Sequence, residues 1–320
     1  FNFSLQDTFF ISRALFESGI NYVEIGHGLG IGLDKKNNRA LFSDDEYINC
    51  AHQAKLSKNN KIGCFCFVEN IDKSNLYYAK KNGLDFIRFA YEGKNFLKLK
   101  EYICYCNEIG IEVHLNLIKT YKYKLNEISK VLKKINKCKI KYFYIVDSAG
   151  GISNKKLYEY IRFIKKNIND KIKVGFHGHN NLGLANSNCF LALDNGVSIV
   201  DSSMMGMGRG AGNANTEAII AYLSREQKNK KYNLMILVNF IKNYLKKIYP
   251  KEMLAEDVLI GKSYFHDSEI KNLKKFSLKN NLDYLDFLND FNFKRGFENF
   301  RKNFKNDSMI KKNTMRKEFE

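Results

Sequence analysis

Seven short runs rich in β-branched and aromatic residues, at 22–26, 62–68, 86–90, 112–118, 142–147, 173–179 and 199–203, recur along the chain with longer amphipathic stretches between them. Short apolar runs of this kind read as strands. Stretches with apolar residues about every 3.6 positions, as at 44–56, 96–108, 125–135, 155–167 and 185–194, read as helices. Strands that alternate with helices run parallel, because the crossover helix returns the chain to the same end of the sheet each time. A further helix, 5–18, precedes the first strand, and another, 216–224, follows the last.

The pattern predicts an α/β fold, a (β/α)8 TIM barrel whose first strand is missing from this stretch of sequence. A doubly wound open sheet is the competing architecture. The barrel is favoured because polar residues stand at nearly every strand's C-terminal end, and a barrel gathers those ends onto one face. The barrel is expected over 1–230 and a helical C-terminal domain over 231–300, with helices at 233–248, 267–280 and 282–290. A charged, flexible tail is expected over 301–320.

With 320 residues and 44% hydrophobic content the chain can bury a full core, which excludes a disordered protein. The net charge of +19 raises the question of nucleic acid. However, the basic residues are spread along helical stretches such as 130–141 and 242–251, without an RNA-binding signature. Abundant Lys, Asn, Ile, Phe and Tyr beside one Pro and no Trp point to AT-biased coding, so no nucleic-acid partner is expected. No apolar run approaches the roughly 20 residues that span a bilayer, and no signal peptide opens the chain, so a cytoplasmic protein without a membrane partner is expected. Seven scattered cysteines, with Cys64/Cys66 and Cys104/Cys106 as C-x-C pairs, make no zinc-ribbon pattern and fit reduced thiols. The chain opens on Phe1 rather than Met, and a preceding segment is expected.

The strand ends carry Glu24, His27 and Gly28; Arg88; His114 and Asn116; Asp147 and Ser148; His177 and His179; and Asp201 and Ser202. A lone histidine in such a place, as His52 or His114, is usually a hydrogen-bonded structural residue. His177 and His179 differ, because residues i and i+2 of a strand leave the same face. Two imidazoles on one rigid strand make half of a divalent-metal site, and a carboxylate is wanted to complete it. Four glycines in 206–212 allow positive φ and can present N–H groups to an anion, with Gly208 and Gly210 flanking Arg209 as a contact for a carboxylate. Asn213 stands ahead of the next helix, placed either to cap it or to bind the metal.

His177-Gly-His-Asn-Asn-Leu-Gly-Leu-Ala-Asn186 resembles the second signature of the metal-dependent pyruvate aldolase and acyl transferase superfamily, barrel enzymes related to 3-hydroxy-3-methylglutaryl-CoA lyase and 2-isopropylmalate synthase. Glu24-Ile-Gly-His-Gly28, Asp147-Ser-Ala-Gly-Gly151 and Gly206-Met-Gly-Arg-Gly-Ala-Gly-Asn213 are similar to the 4-hydroxy-2-oxovalerate aldolase branch, and the resemblance extends over about 5–288. It implies a carbon–carbon lyase that cleaves or forms a 4-hydroxy-2-oxo acid, pyruvate plus an aldehyde, through a metal-stabilised pyruvate enolate. The implied metal is Mn2+, with Mg2+, Co2+ or Zn2+ as alternatives, held by His177, His179 and Asn213. Asp147, Ser148, Gly208, Arg209 and Gly210 would bind substrate, and His27 and Tyr264 would be catalytic. A 2-keto acid is the implied substrate, and an acylating aldehyde dehydrogenase or a second copy of the chain the implied protein partner.

One departure stands out. The superfamily's first signature, Arg-Asp-Gly, supplies a third metal ligand and an arginine that steadies the enolate, and it occurs nowhere in the 320 residues. Two alternatives follow: a Claisen-type acyl transferase or lyase, or a noncatalytic homologue. The first is disfavoured because such synthases usually carry Glu in place of Arg209 and add a regulatory domain.

Overall fold

The structure is a computed structural model that describes residues 3–26, 30–33, 40–226, 231–249, 260, 263, 265, 267–280, 284 and 288. Seven strands, β1 (Tyr22–Ile25), β2 (Lys61–Phe67), β3 (Phe86–Tyr91), β4 (Glu112–Leu117), β5 (Tyr142–Asp147), β6 (Lys173–Gly178) and β7 (Ile199–Val200), pair in parallel in chain order. Helices α1 (Leu5–Glu17), α2 (Asp44–Gln53), α3 (Lys73–Lys81), α4 (Phe96–Glu108), α5 (Leu125–Ile135), α6 (Asn154–Asn167), α7 (Ala185–Asp194) and α8 (Thr216–Glu226) alternate with them. Sequential order excludes the doubly wound sheet, in which strand order reverses at a switch point.

Several elements differ from the sequence expectation. Helix α2 stops at Gln53, and β7 is two residues long, with Ser203 forming only an isolated bridge to Asn215. Helix α3 has no counterpart in the periodicity, since it buries only Leu76 and Ala79. The expected helix at 233–248 begins as α9 (Leu234–Phe240) and continues through a π-helical turn, Ile241–Leu245, to Ile248. It packs on α1: Leu237 and Leu245 share an apolar cluster with Ile11 and Leu15, and the Tyr244 hydroxyl donates to Asp7. Most of 282–290 and all of 301–320 lie outside the described residues. Among the described residues no helix is long and apolar enough to cross a membrane.

Local chemistry accounts for the helix starts. Ser4 with Asp7, and Ser43 with Glu46, form reciprocal capping boxes at α1 and α2. Helix α5 shows the amphipathic logic plainly: Ile128, Val131, Leu132 and Ile135 are its buried face.

The sheet is curled, and the side chains inside it prove the curl. Arg88 on β3 donates 2.8 Å to Glu24 on β1 and also to Asp201, just past β7, so both end strands lie within reach of one guanidinium. In the hydrogen-bond register Arg88 faces His114 on β4 and, through it, Tyr142 on β5. Its guanidinium nevertheless sits 4.5 Å over the ring of Tyr144, two residues further on. That offset is the stagger of tilted strands around a barrel. Carried around the sheet, it stacks Glu24, Arg88, Tyr144 and Asp201 into one layer from alternate strands, as barrel interiors do. The same offset places Phe65 of β2, Asn116 of β4 and His177 of β6 in the next layer toward the C-terminal face.

Beneath the arginine layer the lumen is filled by aromatic rings that need glycine opposite them. A Cβ on Gly175 would come within 2.6 Å of Tyr144, and one on Gly63 would enter the Phe86 ring. His114, fully buried, stacks on Phe86 at 4.8 Å and bonds Glu112 at 2.9 Å. Glu112 also accepts from Lys61, Lys141 and the Tyr22 hydroxyl, closing the N-terminal end of the lumen with a polar plug.

Candidate active site

Strand β6 ends at Gly178, one residue short of the expected strand, because His179 leaves the parallel ladder for an antiparallel bridge with Asn213. The two imidazoles still converge, with Nε2 of His177 and Nε2 of His179 3.5 Å apart. Two nitrogens each about 2.1 Å from a shared ion would stand about 3 to 3.4 Å apart, so the pair is close to chelating geometry. Asp201 meets the Nδ1 of His177 at 2.9 Å. A carboxylate at that nitrogen fixes the tautomer and turns the Nε2 lone pair toward the site.

Asp201 is itself held. Burial raises its pKa, but the Arg88 charge and the His177 hydrogen bond more than offset this and keep the carboxyl below its ordinary range. Burial likewise opposes the charged form of Arg88, yet Asp201 and Glu24 raise its pKa above the usual value and keep it cationic. The chain from Glu24 through Arg88 and Asp201 to His177 is thus one ionic network of four strands.

The glycine-rich loop supplies the third neighbour of the histidines. Positive φ at Gly206, Gly210 and Gly212 folds it back on itself, and Asn180 N–H donates to Gly212 O at 2.9 Å, tying it to the end of β6. A Cβ at Gly208 would come within 2.5 Å of Asn213 Nδ2, so glycine is required there for the approach. Asn213 Nδ2 donates to Met207 O at 2.8 Å, while its Oδ1 is buried without a hydrogen-bond partner. Two imidazole nitrogens and an orphaned amide oxygen are a donor set that fits a divalent first-row cation. Among the described residues no third His, Cys, Asp or Glu joins them. Arg209 is exposed on this loop, and Gly210 turns the backbone beside it.

Two expected substrate contacts are engaged elsewhere. The Asp147 carboxylate accepts from Gly151 N–H at 3.2 Å and Ile152 N–H at 2.8 Å, so it clamps the β5–α6 loop. Burial pushes its pKa up to about 6. Ser148 Oγ accepts from Lys119 N–H at 3.0 Å and pins the turn after β4. Asn180 and Asn186 of the histidine motif are likewise structural: Asn180 Oδ1 accepts from Ala185 N–H, and Asn186 Oδ1 from Asn215 N–H. His27 and Tyr264 lie outside the described residues.

Residues 2–242 match the HMGL-like family. The chain belongs to that family. Among its relatives, an oxaloacetate decarboxylase of Mycobacterium tuberculosis is 30% identical over 230 residues, 70% of this chain and 66% of that protein. A 4-hydroxy-2-oxovalerate aldolase of Bacillus thuringiensis is 26% identical over 289 residues, 89% of this chain and 84% of that protein. Among solved structures, the N-terminal domain of a candidate aldolase from Bacteroides vulgatus superposes with a TM-score of 0.72 at 25% identity, covering 87% of this chain and 92% of that one. The family resemblance drawn from the motifs is therefore correct, and so is the α/β barrel-type fold.

Arg88 and Asp201 were legible only as polar strand ends. What the sequence did not reveal was that they meet: their partnership depends on the two-residue stagger between strands, and no spacing along the chain encodes it.

Proposed function

We propose that this member of the HMGL-like family is a divalent-metal-dependent aldolase that cleaves or forms a 4-hydroxy-2-oxo acid, with pyruvate and an aldehyde as the other partners. The observation that carries the reading is the convergence of His177 and His179 beside the unpaired Asn213 Oδ1, with Asp201 on the outer nitrogen of His177. When bound, a divalent cation would offset the negative charge that gathers on the keto oxygen. In cleavage the C3–C4 bond breaks, its electron pair moves toward that oxygen, and the C4 hydroxyl loses its proton to water to become the aldehyde carbonyl; C3 then takes a proton from water to give pyruvate.

The chain's own residues prepare that step. Arg88 keeps Asp201 ionised, Asp201 keeps the Nδ1 proton of His177 in place, and the Nε2 lone pair is thereby directed inward. Arg209 stands on the rim, where a substrate carboxylate would enter, and the turns at Gly206, Gly210 and Gly212 shape the loop that holds Asn213. The decarboxylase among the relatives favours a second reading, loss of carbon dioxide from a 2-keto dicarboxylic acid, which sends an electron pair to the same keto oxygen.

The test is release of pyruvate from 4-hydroxy-2-oxopentanoate by the full chain with and without Mn2+, together with calorimetric Mn2+ binding. His177→Ala with His179→Ala should lower Mn2+ affinity by at least about 100-fold while the circular dichroism stays unchanged. Activity that is indifferent to chelators, or unaltered Mn2+ binding by the double variant, would overturn the reading. Pyruvate release from oxaloacetate alone would select the decarboxylase.

A further inference from the structure

We propose that Asn116 reads a hydroxyl group on the substrate and so separates a hydroxylated 2-keto acid from one that lacks the hydroxyl. The inference rests on the 2-keto acid reading above. Asn116 is 3% exposed on the lumen face of β4, and its Oδ1 has no hydrogen-bond partner. Native proteins satisfy nearly all buried polar atoms, so one left bare in a lumen marks a place that a ligand completes.

The strand stagger sets where that place is. Asn116 is opposite Tyr144, and Tyr144 opposite Gly175; two residues beyond Gly175 is His177. Asn116 and His177 therefore lie at one height, on strands separated only by β5, with backbones about 10 Å apart. Both residues face the lumen at that height, from walls separated by one strand. Phe65 on β2, at that level, is apolar and offers no rival hydrogen bond. On the mouth side Ala90 on β3, Ile118 beyond β4 and Val146 on β5 form an apolar collar around the amide.

The unpaired Oδ1 is an acceptor, and a hydroxyl is the oxygen group of a hydroxylated 2-keto acid that can donate to it. Carboxylate and keto oxygens carry no proton and cannot satisfy it, whereas a hydroxyl donates. Pyruvate has no hydroxyl and neither does an unsubstituted aldehyde, but their aldol carries one at C4. Asn116 thus holds the group whose proton must leave on cleavage, and it orients the C4 oxygen without itself taking the proton.

The experiment measures binding of 4-hydroxy-2-oxopentanoate and of 2-oxopentanoate to the full chain in the presence of Mn2+, by calorimetry, for the parent, Asn116→Leu and Asn116→Ala. Exchange of pyruvate methyl protons with deuterated water is followed in parallel. The parent should prefer the hydroxylated acid by about 10- to 100-fold, and both variants should lose that preference while binding 2-oxopentanoate as the parent does. Pyruvate exchange should stay within about threefold, because Leu fills the amide's volume and neither variant touches the histidines. A preference that survives both substitutions, or equal weakening toward both acids, refutes the role of Asn116. If the parent prefers the hydroxylated acid through Asn116 but neither exchanges pyruvate protons nor cleaves, the aldolase reading fails and the hydroxyl-reading role stands. A parent that binds neither acid overturns both.

Discussion

Replacing Arg88 with Met tests whether one guanidinium organises the upper lumen. Met keeps most of the stem's volume while removing the ion pairs to Glu24 and Asp201 and the contact 4.5 Å over Tyr144. Removing one partner of a buried ion pair costs about 3–5 kcal/mol, because the remaining charge is left uncompensated. The lower end applies here. The Glu24 side chain is 33% exposed and can rehydrate, and Asp201 keeps its bond to His177. A loss of about 3 kcal/mol corresponds to a fall in Tm of roughly 6–12 °C.

The pH dependence sharpens the test. In the parent, Asp201 lies below its ordinary pKa, so its contribution is present above the unfolded value near 3.9 and is lost as the pH falls below it. In Arg88→Met only burial and His177 act on the carboxyl, and burial raises its pKa above the unfolded value. The variant's deficit should therefore be largest at pH 7.5 and shrink by about 1 kcal/mol toward pH 5.5, as the buried carboxyl takes up a proton. Urea unfolding followed by circular dichroism at the two pH values reads both effects, and adding Asp201→Asn should recover part of the loss at pH 7.5. A deficit below about 1 kcal/mol, or one equal at both pH values and untouched by Asp201→Asn, would show that the network does not carry the stability assigned to it.

Two further perturbations probe the lower lumen. Burial foremost, and the nearby Arg88 charge, lower the pKa of His114 against the pull of Glu112. The unfolded chain thus takes up a proton near pH 6.5 that the folded chain refuses, so stability should fall below that pH, by up to about 1.4 kcal/mol per pH unit. His114→Phe should flatten that part of the slope in urea midpoints between pH 7.5 and 5.5, and an unchanged slope would remove His114 as its source. Gly63→Ala should destabilise by about 1–3 kcal/mol, because its methyl would enter the ring of Phe86, which is 2% exposed. Pairing it with Phe86→Leu should restore much of the loss in thermal melts, and a neutral Gly63→Ala would mean the lumen is looser than its packing implies.

The fold was largely legible because strands with two buried faces announce themselves. Strand β5, Tyr-Phe-Tyr-Ile-Val-Asp, is buried at every position, and among the described residues no helix repeats that composition. Helix α3 escaped notice for the opposite reason: Lys-Ser-Asn-Leu-Tyr-Tyr-Ala-Lys-Lys buries two small contacts and exposes both tyrosines, so its stripe is too narrow for periodicity to find. The histidine pair was legible from spacing alone. The partners of Asp147 were not legible, because a polar residue at a strand end can either face the mouth or fold back on its own loop. The two backbone N–H groups presented four and five residues later decided for the loop.

Charge gives the site an internal check that no single residue supplies. Among the described residues, the upper lumen sets one guanidinium, Arg88, against two carboxylates, Glu24 and Asp201, with neutral amides at Asn116 and Asn213. With both imidazoles neutral, as the proposed metal ligation requires, the lumen lining below the Arg209 rim carries a net charge of about −1. A divalent cation would offset that charge while Arg209 on the rim met the acid's carboxylate; the acid without the cation would add to the negative charge of the lining, which a partly buried site resists. Cation and substrate should therefore bind with positive coupling, each raising the other's affinity by the same factor. The polar plug at the far end, Glu112 between Lys61 and Lys141, is closed off by the aromatic layers and does not enter this balance. On the proposed reading, the upper lumen is completed by one cation and one anion together.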